Sequence, residues 1–257
     1  MECYPFGQPV GPVTWRQPGP KPVLIIGVYP SAVHARWIGP DGKSIRAVAV
    51  ADEPEPFWTG HGAEIKIATV AATVPAEAGR IELAKGHNGP SGQALDELVL
   101  APLTLTRDKI RVADIDNRYM ANQSQQDAVT HNYVPLVERG ILPPATWRPR
   151  RTITRIPSDR SPALTDEAAE ADPAWIITLG DEPLRALDLE PLTRAGYGAP
   201  LPAVVLAHNV QLLRLAHTRQ QAGHGHSSRD WAEAHRQWRT GEGAAAVRRA
   251  IMADLER

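Results

Sequence analysis

Lys21-Pro-Val-Leu-Ile-Ile-Gly-Val-Tyr-Pro-Ser-Ala-Val-His-Ala-Arg-Trp37 is the stretch on which the fold class turns. Residues 23–28 form a short β-branched apolar run, the pattern of a strand buried on both faces. Gly27 and Pro30 end it and turn the chain at the strand's carboxyl edge. In open α/β sheets that edge is where ligands bind. The turn is therefore a candidate site floor, although a buried strand with an ordinary proline turn fits the same residues.

Two more runs of this kind lie downstream, at 110–115 and 174–180, and the pattern between the runs is helical. Residues 93–100 place Leu95, Leu98 and Val99 at helical spacing, with Ser91 as the expected N-cap. Helices are also expected over 63–74, 124–139, from about 164, over 181–189, 228–239 and 244–257. Residues 33–38 and 44–50 alternate around Gly39-Pro-Asp-Gly-Lys43, which predicts a hairpin. Residues 203–206 and 211–215 read as paired strands around His208-Asn209. Buried strands alternating with helices predict an α/β fold, a central mostly parallel sheet covered on both faces in three layers. The chain reads as one domain, 1–257. Residues 1–20, rich in Pro and Gly and without a period, read as an extended arm laid upon it.

Composition narrows the function classes. Lys and Arg number 28 against 29 Asp and Glu, a net charge of −1, which argues against wholesale polyanion binding but allows a local basic groove. The single cysteine, Cys3, excludes a disulfide framework, a four-thiolate zinc site and an all-cysteine iron–sulfur cluster. No 18-residue apolar run or signal-like start is present, so a cytoplasmic protein without membrane contact is expected. No cofactor and no obligate protein partner is expected.

Polar clusters recur where strands end. Asp52-Glu-Pro-Glu-Pro-Phe-Trp58 offers three carboxylates and two aromatics stiffened by two prolines, although a solvated acidic loop has the same composition. Asp114-Ile-Asp-Asn-Arg-Tyr119 crowds the end of the second buried run. Arg148, Arg150, Arg151, Arg155 and Arg160 stand against one Asp in 140–162, and Arg without Lys favours fork-like binding of phosphates or carboxylates. An Arg face that merely keeps the surface soluble fits equally. His224 and His226, with His208 and His217 near in sequence, form a weak zinc signal.

Four segments, in order, resemble the uracil-DNA glycosylase superfamily. Ile26-Gly-Val-Tyr-Pro-Ser31 is similar to its first motif, a Gly-x-(Asp/Asn/Glu)-Pro turn after the first core strand. Gly89-Pro-Ser-Gly-Gln-Ala-Leu-Asp-Glu97 resembles the Gly-x-Ala-Gly-x-x-Leu-Asp helix start of the thermophile-type branch. Ile176-Ile-Thr-Leu-Gly180 resembles that branch's Ile-x-x-Leu-Gly strand, and Leu215-Ala-His-Thr-Arg219 sits where the superfamily has its His-Pro loop. Tyr29 stands where the superfamily places its water-activating residue, Thr218 replaces the proline after His217, and the branch's cluster-binding cysteines are absent.

The resemblance implies a glycosylase that flips a base out of DNA and excises it, and the departures at Tyr29 and Thr218 point to a target other than plain uracil. Defence against phages with modified DNA is one such role. It implies that His217 donates to the departing base. The missing anion is expected from Asp52 or Glu53 first, with Asp116, beside Asp114, as the rival. Tyr29, Phe57 and Trp58 are candidate stacking surfaces, core packing being the alternative for Trp58. Asp114 and Asn117 are placed by the resemblance where the base is read. Ser91, Arg148, Arg150, Arg151, Arg155 and Arg214 are candidate phosphate contacts, and Arg219 and Gln220 would fill the gap left by the flipped nucleotide. A catalytically inactive DNA-binding protein and a His-dependent metallohydrolase are the competing readings.

Overall fold

The computed structural model describes residues 2–223 and 228–256. The chain divides into two compact units, one built from Met1–Val13, Pro30–Pro90 and Arg118–Arg151, the other from Thr14–Tyr29, Ser91–Asn117 and Thr152–Arg257. Six alternating segments mean that no single linker marks a boundary. Composition along the chain therefore reads as one domain.

In chain order the strands are β1 (Val23–Gly27), β2 (Ala32–Ile38), β3 (Ser44–Asp52), β4 (Arg80–Leu83), β5 (Ile110–Asp114), β6 (Met120–Ala121), β7 (Arg148–Pro149), β8 (Trp175–Leu179), β9 (Leu201–Val205) and β10 (His208–Leu215). The second unit holds a five-stranded sheet ordered β5-β1-β8-β10-β9, parallel except for β9, which runs antiparallel to β10. Every residue of β1, β5 and β8 is buried, as the apolar runs predict. Register places Arg111 and Ile176 on one face and Trp175 on the other. Arg111 pairs with Glu170 of the helix Ser161–Ala171 at 2.8 Å. Trp175 Nε1 donates to Asp254 of the helix Glu242–Leu255 at 2.8 Å. Helices thus cover both faces, giving the three-layer α/β/α arrangement.

The first unit contains the antiparallel sheet β3-β2-β4. The β2–β3 hairpin closes through 39–43, with Gly39 N–H donating to Lys43 C=O at 2.9 Å. Its start is not an arm laid on a surface. Tyr4 and Phe6 are buried, Phe6 packs edge-on to Trp37 and Tyr133, and Tyr133 accepts the Phe6 N–H at 2.7 Å. The remainder of the expected arm, from Thr14 onward, belongs to the second unit, where Trp15 is buried.

Each unit has a helix with a π-helical turn ahead of a proline: Leu95–Leu100 before Pro102, and Val129–Tyr133 before Pro135. Proline has no N–H for the carbonyl four residues earlier. Leu98 and His131 therefore lose their ordinary α-helical partners, and the helix widens locally. The expected helix 93–100 is the middle of this longer one, which runs from 90 to 103. It starts at Pro90, whose missing N–H is unneeded in a first turn. Ser91 is inside that turn and is not its N-cap.

Candidate active site at the carboxyl edge of the parallel sheet

The chain leaves β1 for β5 on one side and enters β8 on the other, so the topological switch lies between the carboxyl ends of β1 and β8. Such switch points open a crevice in α/β sheets. Tyr29 follows β1 and Gly180 follows β8. On the flanks, Asp116 follows β5 and His217 follows β10. At a strand spacing of about 4.8 Å, the two flanks are roughly 14 Å apart.

The β5 flank is fixed by backbone. The ladder continues past the strands, with Ile115 N–H on Gly27 C=O at 3.2 Å and Asp116 N–H on Val28 C=O at 3.0 Å. Asp116 is thereby held against the residue preceding Tyr29. Asp114 and Asp116 are both buried, and Asp114 pairs in register with Gly27, which has no side chain to cover it. Neither carboxyl oxygen of Asp114 receives a hydrogen bond. Burial pushes this carboxyl up to about 8, Arg160 opposing and Glu167 and Asp116 reinforcing the shift. Asp114 is thus a neutral acid at pH 7, able to donate a hydrogen bond. Arg160 belongs to this flank: its Nε donates to the Asp114 carbonyl at 3.1 Å, and both terminal nitrogens grip Glu167 at 2.8 Å.

The β10 flank is fixed by a cap. His217 precedes the short helix Thr218–Gln221, its Nδ1 accepts the Arg219 N–H at 3.2 Å, and Gln220 Oε1 accepts the His217 N–H at 3.2 Å. With Nδ1 as acceptor, the neutral ring carries its proton on Nε2. Gly180 lies beside the His217 backbone. It sits at φ 98°, and a Cβ there would lie 3.4 Å from His217 Cβ. Its N–H donates to Leu215 C=O at 2.8 Å, tying the β8 and β10 ends together.

Several expected site residues are engaged elsewhere. Asp52 accepts from Tyr4 O–H and Gly11 N–H, each at 2.8 Å, one on each oxygen. Glu53 and Phe57 are buried, and Trp58 packs in the first unit's core with Nε1 on His61 C=O at 3.1 Å. Arg148 pairs with Glu2 at 3.1 Å. Arg150 continues the β6–β7 pairing, its N–H on Ala121 C=O at 2.8 Å, while Arg151 and Arg155 are exposed. Arg214, expected on phosphate, turns NH1 toward the Glu190 and Pro191 carbonyls at 3.4 and 3.5 Å and braces that loop instead. Tyr29, Asn117 and Gln220 are half-buried, and Arg219 is exposed.

The zinc signal disperses. His208 and His217 mark opposite ends of β10, about 30 Å of extended chain apart. His224 and His226 lie outside the described residues, among which no group of three or more His, Cys, Asp or Glu is placed to hold a metal ion.

Two residues near the site escape a reading of motifs. Tyr197 and His235 share a 2.7 Å hydrogen bond close under the His217 loop. The sequence signal for them is indirect: Pro102 leaves the Leu98 carbonyl in want of a donor, and His235 supplies it at 2.8 Å. No protein-family model and no curated protein matches the chain.

Proposed function

We propose that this chain is a DNA glycosylase of uracil-DNA glycosylase type that excises a non-canonical or modified base and leaves an abasic site. The observation that carries the reading is His217, a neutral ring capped so that Nε2–H is its donor, beside the switch point of a parallel sheet. When the N-glycosidic bond breaks, its electron pair leaves with the base and positive charge develops at C1′. An Nε2–H donor stabilises the negative charge arriving on the base oxygen. Water attacks C1′ and gives its proton to a carboxylate, for which Asp116 is a better candidate than Asp52. Asp52 already spends both oxygens on the chain's own start, whereas Asp116 sits next to Tyr29 on the adjoining strand end. Asp114, neutral at pH 7, is suited to donating to the flipped base and not to serving as the anion.

The expected ligand is DNA, with a phosphate held by the exposed Arg155 and the gap left by the flipped nucleotide filled by Arg219. No helix among the described residues is long and apolar enough to cross a membrane, and a cytoplasmic enzyme acting on modified phage DNA fits this reading. The test is incubation with DNAs carrying uracil, hypoxanthine and natural phage modifications, scored by alkali-labile abasic sites. Excision of at least one modified base, lost by about 100-fold or more in His217→Ala, is the expected result. Retention of DNA binding without cleavage of any member would favour an inactive DNA-binding protein, the reading to which Tyr29 and Thr218 lend support.

A further inference from the structure

The C=O of Ala216 and the N–H of His217 belong to one peptide unit, and consecutive glutamines hold it at both edges. The Ala216 C=O accepts from the Gln221 side-chain amide at 2.7 Å. The His217 N–H donates to Gln220 Oε1 at 3.2 Å. In a trans peptide these two groups point to opposite sides of one rigid plane. With both engaged, the plane cannot rotate between its Cα atoms without breaking a hydrogen bond.

The same two residues grip the next peptide. Gln220 N–H and Gln221 N–H both donate to His217 C=O, at 2.8 and 3.0 Å. His217 is thus fixed on both sides by the short helix it caps, at φ −59° and ψ 143°. Those angles set the direction of its Cβ. From there the ring keeps only its own side-chain torsions, and the Arg219 N–H on Nδ1, at 3.2 Å, selects among them. The order of dependence is peptide plane, then Cβ direction, then ring.

Stability does not account for Gln221. It is buried, at 5% exposure, and its Oε1 has no hydrogen-bond partner among the described residues. A buried carbonyl oxygen left unpaired is destabilising, and a methionine of similar length would not carry one. The hydrogen bond from its amide to Ala216 is what remains to explain a glutamine there. Gln220, expected from the sequence to fill the gap left by a flipped nucleotide, has its side chain taken up by the same peptide.

We infer that Gln220 and Gln221 are positioning residues for His217, Gln220 as an acceptor and Gln221 as a donor, which together aim the ring's Nε2–H. The inference rests on the proposed role of His217, but its first readout does not depend on catalysis. The full chain, labelled with ¹⁵N-histidine, reports the tautomer of each imidazole by NMR at pH 8.5, where an ordinary imidazole is neutral. The His217 signal is assigned by its absence in His217→Ala, and in the native chain a single Nε2–H tautomer is expected. Gln221→Met keeps length and burial and removes the donor. In that variant the His217 signal should move toward a mixture of tautomers without a fall in melting temperature. The kcat for excision should drop roughly tenfold with KM unchanged, as a small misplacement of a reacting group does.

Gln220→Glu keeps the acceptor and is expected to preserve the His217 signal, whereas Gln220→Met should disturb it. A folded Gln221→Met with native His217 shifts overturns the inference. If Gln221→Met does not fold, the two Gln220 variants decide: equal His217 signals in both overturn it, and a disturbance in Met alone supports it. Should the chain excise no base at all, the proposed activity fails while the tautomer measurement still reads the positioning.

Discussion

Asp52 and Asp114 are each the last residue of a strand, β3 in one unit and β5 in the other, and burial pushes both carboxyls up. They differ in their hydrogen bonds. Asp52 has a donor on each oxygen, from Tyr4 and Gly11, and these bonds oppose the effect of burial. Asp114 has none, and its carboxyl is pushed up to about 8. A strand-end acid in an antiparallel hairpin has become a fastener for the beginning of the chain. One at the carboxyl edge of a parallel sheet is left buried and unfastened, with Asp116 two residues on. Satisfied carboxylates hold structures together, whereas unsatisfied buried ones mark places where a ligand's own polar groups complete the pairing.

The largest expected effect tests which acid serves chemistry. Asp116→Asn should lower excision by at least about 100-fold, the scale of a lost general base, with DNA affinity unchanged in a gel-shift assay. Asp52→Asn should stay within a few-fold of native. The reverse pattern would break the comparison and return the anion to the acidic hairpin end.

The next effect tests the fastener. Asp52→Ala removes a charged acceptor from two donors and strands the buried Tyr4 hydroxyl. A loss of about 3 kcal/mol is expected, read as a drop in melting temperature by calorimetry. Protease cleavage within the first 13 residues should rise in parallel. Unchanged melting would mean that Asp52 is not the fastener.

A third measurement separates grip from chemistry. Replacing Arg155 should flatten the dependence of log K on log salt by about 0.9, the contribution of one phosphate contact. Excision at saturating DNA should persist. A native slope would move the phosphates to other arginines.

The comparison also shows what the sequence makes legible. The parallel strands are readable because β-branched apolar runs buried on both faces have few other uses, and Pro-Asp-Gly at 40–42 marks the hairpin turn by its chemistry. Partners far apart in the chain are not readable. Asp52 meets Tyr4 and Gly11 across 48 and 41 positions, and Tyr197 meets His235 across 38. The β9–β10 turn falls at Leu206-Ala207, just ahead of the expected His208-Asn209. Both its residues have positive φ, a conformation their types rarely adopt, so no turn residue announced it. His217 is marked in the sequence by its strand end, but the Arg219 N–H that caps its Nδ1 depends on fold geometry.

The smallest expected effect bears on Asp114 alone and runs against intuition, since removing an ionisable group should stabilise the protein. In the unfolded chain this acid ionises near pH 4, whereas in the fold it keeps its proton to about 8. Between those values the unfolded state has released a proton that the folded state still holds, so raising the pH favours unfolding. Below pH 4 both states are protonated, and above about 8 both are ionised, so the loss accrues within that window. Asparagine has the shape of the protonated acid and never ionises. Asp114→Asn should therefore match the native chain near pH 4 and exceed it at pH 7, by an amount on the order of 1 kcal/mol after relaxation around the site. Melting temperatures of both proteins at pH 4, 5.5, 7 and 8.5 would show the gap opening across the window. A gap that is constant with pH, or a variant less stable than native at pH 7, would mean that the Asp114 carboxyl finds partners in solution and is as fastened as Asp52.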